Sequence, residues 1–183
     1  LRDCVGRQCR CYRKGDLMGV VVEGMTQVRP RYVELEPEQS LPLGIGFDVV
    51  ELKLDGQWGR LVVENGQWAI WSRHGQVKAS GATTSRAQIE LQGEFLFGSN
   101  WAHRKGLSGQ FWAFDVTRYR GLNVGAWPLG DRRGLLWRVV QEHGWCLEGL
   151  PPVKVVKQHQ VGRWPGLWEN DVLARGFEGL GVK

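Results

Sequence analysis

Lys53 stands in the run Glu51-Leu52-Lys53-Leu54-Asp55-Gly56, a K-x-D-G pattern closing the apolar segment Phe47-Asp48-Val49-Val50-Glu51-Leu52. A lysine held at a strand end can attack the α-phosphate of a nucleotide and carry the nucleotide on its side chain. It must first be activated. A free lysine has a pKa of ~10.4, so roughly one in a thousand is neutral near physiological pH, and nearby positive charge or desolvation has to release the lone pair. The ordinary alternative for a single lysine is a solvated strand end. Asp55-Gly56 closes the strand, and a glycine there permits close backbone approach to a ligand or an unusual turn, although the dipeptide is also a common turn pair.

Other groups able to do chemistry follow in order: Ser72-Arg73-His74-Gly75, Gly93-Glu94-Phe95-Leu96, Phe114-Asp115-Val116 and Glu178-Gly179-Leu180-Gly181-Val182-Lys183. Arg73 offers a planar fork of donors that suits ribose hydroxyls and phosphate; after a hairpin it can equally be a solvated guanidinium. Glu94 lies among Leu91, Phe95, Leu96 and Phe97, where a carboxylate needs a partner if its face is buried and otherwise occupies the polar face of an alternating strand. Phe114 is suited to stacking or to a core.

The elements that must position these residues are mostly strands. Leu61-Val62-Val63-Glu64, Asn65-Gly66 and Gln67-Trp68-Ala69-Ile70-Trp71 predict a hairpin on a two-residue turn. The turn sets Glu64 opposite Gln67, Val63 opposite Trp68, Leu61 opposite Ile70 and Arg60 opposite Trp71. Continued, the pairing puts Trp58 opposite Arg73 and brings the Lys53 and Ser72-Arg73 motifs onto neighbouring strands. A second hairpin is expected over 87–97 and 110–116 around a basic loop, 98–109. Leu135, Leu136, Val139 and Val140 share one face of a helix starting near Asp131 and closed by Gly144. A second helix is expected over 165–175, closed by Gly176, then a strand over 177–183. These elements predict an α+β fold with largely antiparallel sheets. Residues 1–32, Gly-rich and basic with a strand over 17–22, read as an appendage. A Pro-containing loop over 36–42 leads into the main domain, 33–183.

The 183 residues allow one domain plus an appendage, and 42% hydrophobic content suffices for a core. No apolar run reaches the length of a membrane span, and the opening Leu1-Arg2-Asp3-Cys4 is polar, so neither membrane insertion nor secretion is expected. A net charge of +5 fits an ordinary basic protein or a surface that tracks phosphates. The ten tryptophans are expected mainly in packing, with one or two available to stack on bases. Cys4, Cys9 and Cys11 form a C-x4-C-x-C cluster, with Cys146 remote. The cluster reads either as free thiols of a reduced chain or as three ligands of a four-ligand zinc knuckle.

The ordered motif series resembles that of the covalent nucleotidyltransferases, most closely the adenylation domain of ATP-dependent DNA ligases, over roughly residues 41–183. The resemblance implies a ligase-like fold of two antiparallel sheets flanked by helices, with ATP as substrate, magnesium as cofactor and nicked duplex DNA, or RNA, as partner. It implies a monomer in the cytoplasm or on the nucleoid. It makes Lys53 the nucleophile that forms lysyl-AMP, with Asp55 and Gly56 completing the nucleotide-binding motif. Glu51 would read the adenine amino group, Arg73 the ribose and phosphate, and Glu94 the ribose or the metal environment. Phe114 and Val182 would pack on the base, Lys183 would face the phosphates, and Glu178 would organise magnesium. Trp58 stands where similar ligases carry arginine, and Arg60, two residues on and on the same strand face, is the expected substitute. The family's last adenylation motif and its OB-fold domain have no counterpart before Lys183, so a domain truncated at its C-terminal end is expected. RNA ligases and capping-type enzymes share the lysine chemistry and remain open, the more so because 72–94 leaves little room for a helix found in many DNA ligases. A non-catalytic nucleic-acid-binding relative is the reading of another class.

Overall fold

Asn65 and Gly66 take φ values of 52° and 76°, the left-handed pair that a two-residue hairpin turn requires. The flanking strands pair as the turn dictates: Glu64 with Gln67, Val63 with Trp68, Leu61 with Ile70 and Arg60 with Trp71. Pairing ends with Gly59 opposite Ser72, one residue short of the expected Trp58–Arg73 pair.

The computed structural model describes residues 10–22, 25–34, 49–142 and 150–182, the first two stretches by backbone alone. The strands are β1 (Arg10–Val22), β2 (Met25–Glu34), β3 (Val49–Lys53), β4 (Gln57–Glu64), β5 (Gln67–Ser72), β6 (Val77–Ala82), β7 (Ile89–Phe95), β8 (Phe111–Tyr119), β9 (Leu122–Asn123), β10 (Val153–Val155), β11 (Gln158–Gln160) and β12 (Gly179–Val182). The helices are α1 (Asn100–Arg104), α2 (Leu129–Glu142) and α3 (Trp164–Leu167), the last preceded by a 3-10 turn (Val161–Arg163) and continued by π-turns (Trp168–Leu173). Cys4, Cys9, Cys146, Gly144, Lys183 and the loop 36–42 lie outside the described residues, and Cys11 is placed on β1 by its backbone only.

Two compact units result, one of 1–54 with 157–183 and one of 55–156. The first holds a sheet ordered β11-β3-β12-β1-β2. It is antiparallel except where Arg10 and Cys11 of β1 run parallel to Gly181 and Val182 of β12. Alternation along β3 sends Val50 and Leu52 to one face, where Val50, Leu180, Trp168 and Val172 form a small core with Leu52, Trp164, Leu167 and Phe177 around it. The expected helix over 165–175 is there in a looser form. Pro165 lies in the first turn of α3, where its missing N–H costs nothing. The π-turns that follow carry both Trp168 and Val172 into the core, and Gly176, at φ 71°, ends them.

The second unit holds the sheet β10-β8-β7-β4-β5-β6, with β9 added beside β8. Its inner face carries Leu61, Val63, Trp68, Ile70, Ile89, Leu91, Phe95, Phe111, Ala113 and Val116, and α2 covers it with Leu135, Leu136 and Val139, the helix face anticipated from periodicity. Each large side chain so buried contributes roughly 1.5–3 kcal/mol. The basic loop of the second hairpin carries the short α1, capped by Ser99, whose hydroxyl accepts from the Ala102 N–H.

One expectation is corrected. Lys53 and Ser72-Arg73 do not lie on neighbouring strands: β3 ends at Lys53 in one sheet, and β4, the partner of β5, starts at Gln57 in the other. The cause is local. The chain breaks at Leu54–Gly56, and a Cβ on Gly56 would come within 2.7 Å of the Leu96 side chain and 3.2 Å of the Phe95 carbonyl. Only glycine lets the chain turn so tightly against β7.

Candidate active site

In the first unit the site is built on β3 and its two neighbours. Antiparallel pairing sets Gly179 opposite Lys53 and Gly181 opposite Glu51. This brings Glu178, immediately before β12, to the end of β3, where its N–H donates to the Lys53 carbonyl over 3.2 Å. The Lys53 Nζ donates to Glu178 Oε1, joining residues 125 positions apart in the chain. Both side chains are half-buried, 22% and 33% exposed. On the same strand face, Glu51 is buried and its Oε1 accepts from Gln158 Nε2 of β11 over 2.8 Å. A buried carboxylate requires such a donor. The two glycines of β12 put no side chain next to these groups, and a Cβ on Gly181 would meet nothing within 4 Å. Lys53, Glu51 and Gln158 therefore border a clear strip of backbone.

Glu178 can help hold a divalent cation. No group of three or more His, Cys, Asp or Glu stands together for metal binding among the described residues, which excludes an all-protein cage there. Magnesium does not need one: it keeps several waters and binds through one or two carboxylates plus substrate phosphates. A half-exposed carboxylate beside an open strip fits that requirement.

In the second unit the chemistry-bearing residues lie on the face of the sheet opposite its core. Trp58, Glu94 and Trp112 form one row across β4, β7 and β8, flanking the carboxylate with two indoles. Asp55, in the turn before β4, accepts from the Ser99 hydroxyl over 3.1 Å. Phe114 sits at a β-bulge: opposite the Gln92–Gly93 step, β8 runs Ala113, Phe114, Asp115, one residue more than its partner. Two successive arginines of α2 pin the bulge. Arg132 grips Asp115 with its Nε and Nη2, each 2.9 Å from a carboxylate oxygen, and Arg133 Nη1 donates to the Phe114 carbonyl over 2.6 Å. Such a two-toothed grip resists rotation of the bulged backbone.

Arg73 and His74 project from the tight turn between β5 and β6. The Ser72 hydroxyl accepts from the N–H groups of His74 and Gln76, and Gly75 takes a φ of 73°. Arg73 shares an open pocket with Gln57, Trp58, Ser72, His74, Gln76 and Lys78. Arg60 is the expected stand-in for the cation missing at residue 58. Its guanidinium lies 6.0 Å from the centre of the Trp71 ring and 3.9 Å from the Glu90 carboxylate.

Of the residues singled out from sequence, Lys53, Glu51 and Glu178 thus come together in the first unit. Asp55, Gly56, Arg73, Glu94 and Phe114 lie in the second. Val182 is on β12 by its backbone, and Lys183 lies outside the described residues. Three further residues went unmarked. Gln158 sits on a strand of three residues, too short to leave a pattern. Lys78 owes its place to a bulge. Trp112 stands opposite Glu94 only in the observed β7–β8 register, which the long loop of this hairpin left open.

The fold so assembled is the α+β nucleotidyltransferase fold of ligases, two mainly antiparallel sheets with few flanking helices. Among solved structures it is similar to a mycobacterial DNA ligase D complexed with ATP and MES, with a TM-score of 0.53 and 16% identity over 74% of this chain and 48% of that one. It is likewise similar to the proteins designated Pmar-Lig_Pre, with a TM-score of 0.54, 15% identity and coverage of 77% and 39%, and Pmar-Lig_PreS3, with a TM-score of 0.53, 15% identity and coverage of 75% and 38%. The chain spans less than half the length of these proteins. No protein-family model matches the sequence, and no curated protein does. Among the described residues no helix is long and apolar enough to cross a membrane.

Proposed function

We propose that this chain is the adenylating part of an ATP-dependent DNA ligase, with Lys53 as nucleophile. The observation that carries this reading is the contact between Lys53 and Glu178. A lysine and a glutamate from opposite ends of the motif series, 125 positions apart, meet at one strand end beside a strip cleared by two glycines. The fold likeness to a ligase holding ATP supports it.

In the reaction the Lys53 nitrogen bonds to the α-phosphorus of ATP, the bond to the bridging oxygen breaks, pyrophosphate leaves and the nitrogen's protons pass to water. A 5′-phosphate oxygen at a nick then attacks the same phosphorus and displaces Lys53. Finally the neighbouring 3′-hydroxyl attacks the 5′-phosphorus and AMP departs. While Lys53 donates to Glu178 as an ammonium, its nitrogen has no lone pair to offer, so the contact marks a resting state that must loosen before attack. Magnesium, when bound, neutralises phosphate oxygens. Glu178 is the residue that would hold it. Glu51, fixed by Gln158, presents a carboxylate acceptor to the exocyclic amine of adenine. Arg73 is suited to the ribose and phosphate, Phe114 to the base and Glu94 to the ribose.

The test is intact mass after incubation with ATP and magnesium. A gain of one AMP is expected, much less product with GTP, and none when magnesium is chelated; a folded protein that gains no mass contradicts the reading. A second expectation concerns Gln158. Gln158→Ala removes the donor that orients Glu51, a hydrogen bond to a charged group, and should slow adduct formation with ATP by roughly tenfold while narrowing the preference over GTP. Unchanged rates with both nucleotides would deny Glu51 that role.

RNA as the sealed strand is the alternative, favoured by one feature: between Ser72 and Glu94 the chain holds β6 and the start of β7, with no helix. Sealing assays on nicked DNA and nicked RNA decide between them.

A further inference from the structure

The pocket lined by Gln57, Trp58, Ser72, Arg73, His74, Gln76 and Lys78 has a volume of about 200 Å3. Its composition is one-sided. Two cationic side chains, Arg73 and Lys78, and an imidazole share it with two amides, a hydroxyl and one indole, and no carboxylate lines it. Cations and neutral donors without a counter-charge select an anion, and an indole beside them offers a surface for a flat ring.

The placement of Lys78 has an identifiable structural cause. Opposite the Ile70–Trp71 step of β5, β6 runs Ala79, Lys78, Val77, one residue too many. A bulge of this kind re-aims a side chain, and here it leaves Lys78 lining the pocket with Gln76. The turn that presents Arg73 and His74 is held by the Ser72 hydroxyl and by a 2.7 Å bond from the Ser72 N–H to the Gln76 carbonyl. Both cations are thus set by backbone geometry. The volume is below the roughly 300–1,000 Å3 usual for a complete small-molecule site, so the pocket suits one portion of a longer ligand.

We infer that this pocket seats one nucleotide of a polynucleotide strand, with its phosphate on Arg73 and Lys78 and its base or sugar against Trp58. Aromatic platforms beside a cationic groove are how proteins hold single strands without reading their sequence. Trp58, in the same row as Glu94, then contacts the strand and is not merely a lost arginine. The inference rests on the nucleic-acid part of the function proposed above; that reading already gives Arg73 to ribose and phosphate, so what the pocket adds is Lys78 and Trp58.

The test is the affinity of the full chain for a fluorescently labelled, 5′-phosphorylated single-stranded oligonucleotide, measured by anisotropy over a range of salt. Trp58→Ala and Lys78→Ala should each weaken binding about tenfold, and Lys78→Ala should also flatten the salt dependence by about one unit of slope. Trp58→Phe and Lys78→Arg should restore most of the affinity. Lys154→Ala, which removes an equal charge from β10, should bind as wild type does. A Lys78→Ala protein no weaker than Lys154→Ala would overturn the assignment. So would a Trp58→Phe protein as weak as Trp58→Ala, which would make the indole a packing residue only. If Lys78→Ala instead raises the ATP concentration needed for the lysyl-AMP adduct and leaves oligonucleotide binding intact, the pocket belongs to the free triphosphate and the strand assignment falls. The two proposals fail separately: a wild-type chain that forms the adduct but does not bind the oligonucleotide removes only the pocket, and one that binds the oligonucleotide but forms no adduct removes only the Lys53 chemistry.

Discussion

Lys53→Arg should fold as the wild type does and form no AMP adduct. Arginine keeps a cation at the end of β3 and can still donate to Glu178, so the contact between β3 and the start of β12 survives. The side chain there is 22% exposed, which leaves room for the longer guanidinium. The guanidinium stays protonated at any accessible pH and has no lone pair to offer phosphorus. The substitution therefore separates charge from nucleophilicity, which Lys53→Ala cannot do. The expected result is a thermal midpoint close to wild type with adduct below detection by intact mass. An adduct on Lys53→Arg would move the nucleophile elsewhere, and a collapsed midpoint would show that lysine matters to the sheet more than to the chemistry.

Gly93→Ala should cost more stability than any other single methyl group in the second unit. Gly93 lies between Gly59 on β4 and Ala113 on β8, facing the core, with the buried Phe111 ring over it. A Cβ at this position would stand 2.4 Å from the Trp112 carbonyl oxygen and 2.7 and 2.9 Å from two ring carbons of Phe111. The oxygen belongs to the strand next door and moves only if the β7–β8 pairing opens. The ring is fully buried and is also near the position of a Cβ on Gly59, at 3.1 Å. Overpacking a core typically costs 1–3 kcal/mol, and a backbone clash puts this case at about 3 kcal/mol or above, lowering Tm by roughly 10 °C. Because Glu94 and the Phe114 bulge share this ladder, adenylation should fall with stability. A midpoint within a degree or two of wild type would contradict this close setting of β7 against β8.

The contrast between these positions shows what could be read from sequence. The Asn65-Gly66 hairpin was legible down to its register because the turn is local and its two left-handed residues admit one solution. The core face of α2 was legible for a similar reason, since Leu135, Leu136 and Val139 repeat with the helix. The separation of Lys53 from the Ser72-Arg73 turn was not, because the break at Leu54–Gly56 depends on Leu96 occupying the space beside Gly56, a contact between distant segments. Phe114 and Lys78 were readable as residue types but not as positions: a bulge adds one residue to a strand and reverses which face the next side chain takes. Gln158, on a strand of three residues, has no periodicity to reveal it, and its pairing with Glu51 is set by the sheet. The resemblance in motifs singled out Lys53 and Glu178 separately, one as nucleophile and the other as the metal-organising glutamate. Only the antiparallel register of β3 and β12, with Gly179 opposite Lys53, explains why they touch.

The most direct measurement is peptide mapping by mass spectrometry after incubation of the wild-type chain with ATP and magnesium. The account predicts a single AMP in acid-labile phosphoramidate linkage on the peptide containing Lys53. A folded, nucleotide-exposed protein with no AMP there, or with AMP on another lysine, would contradict it.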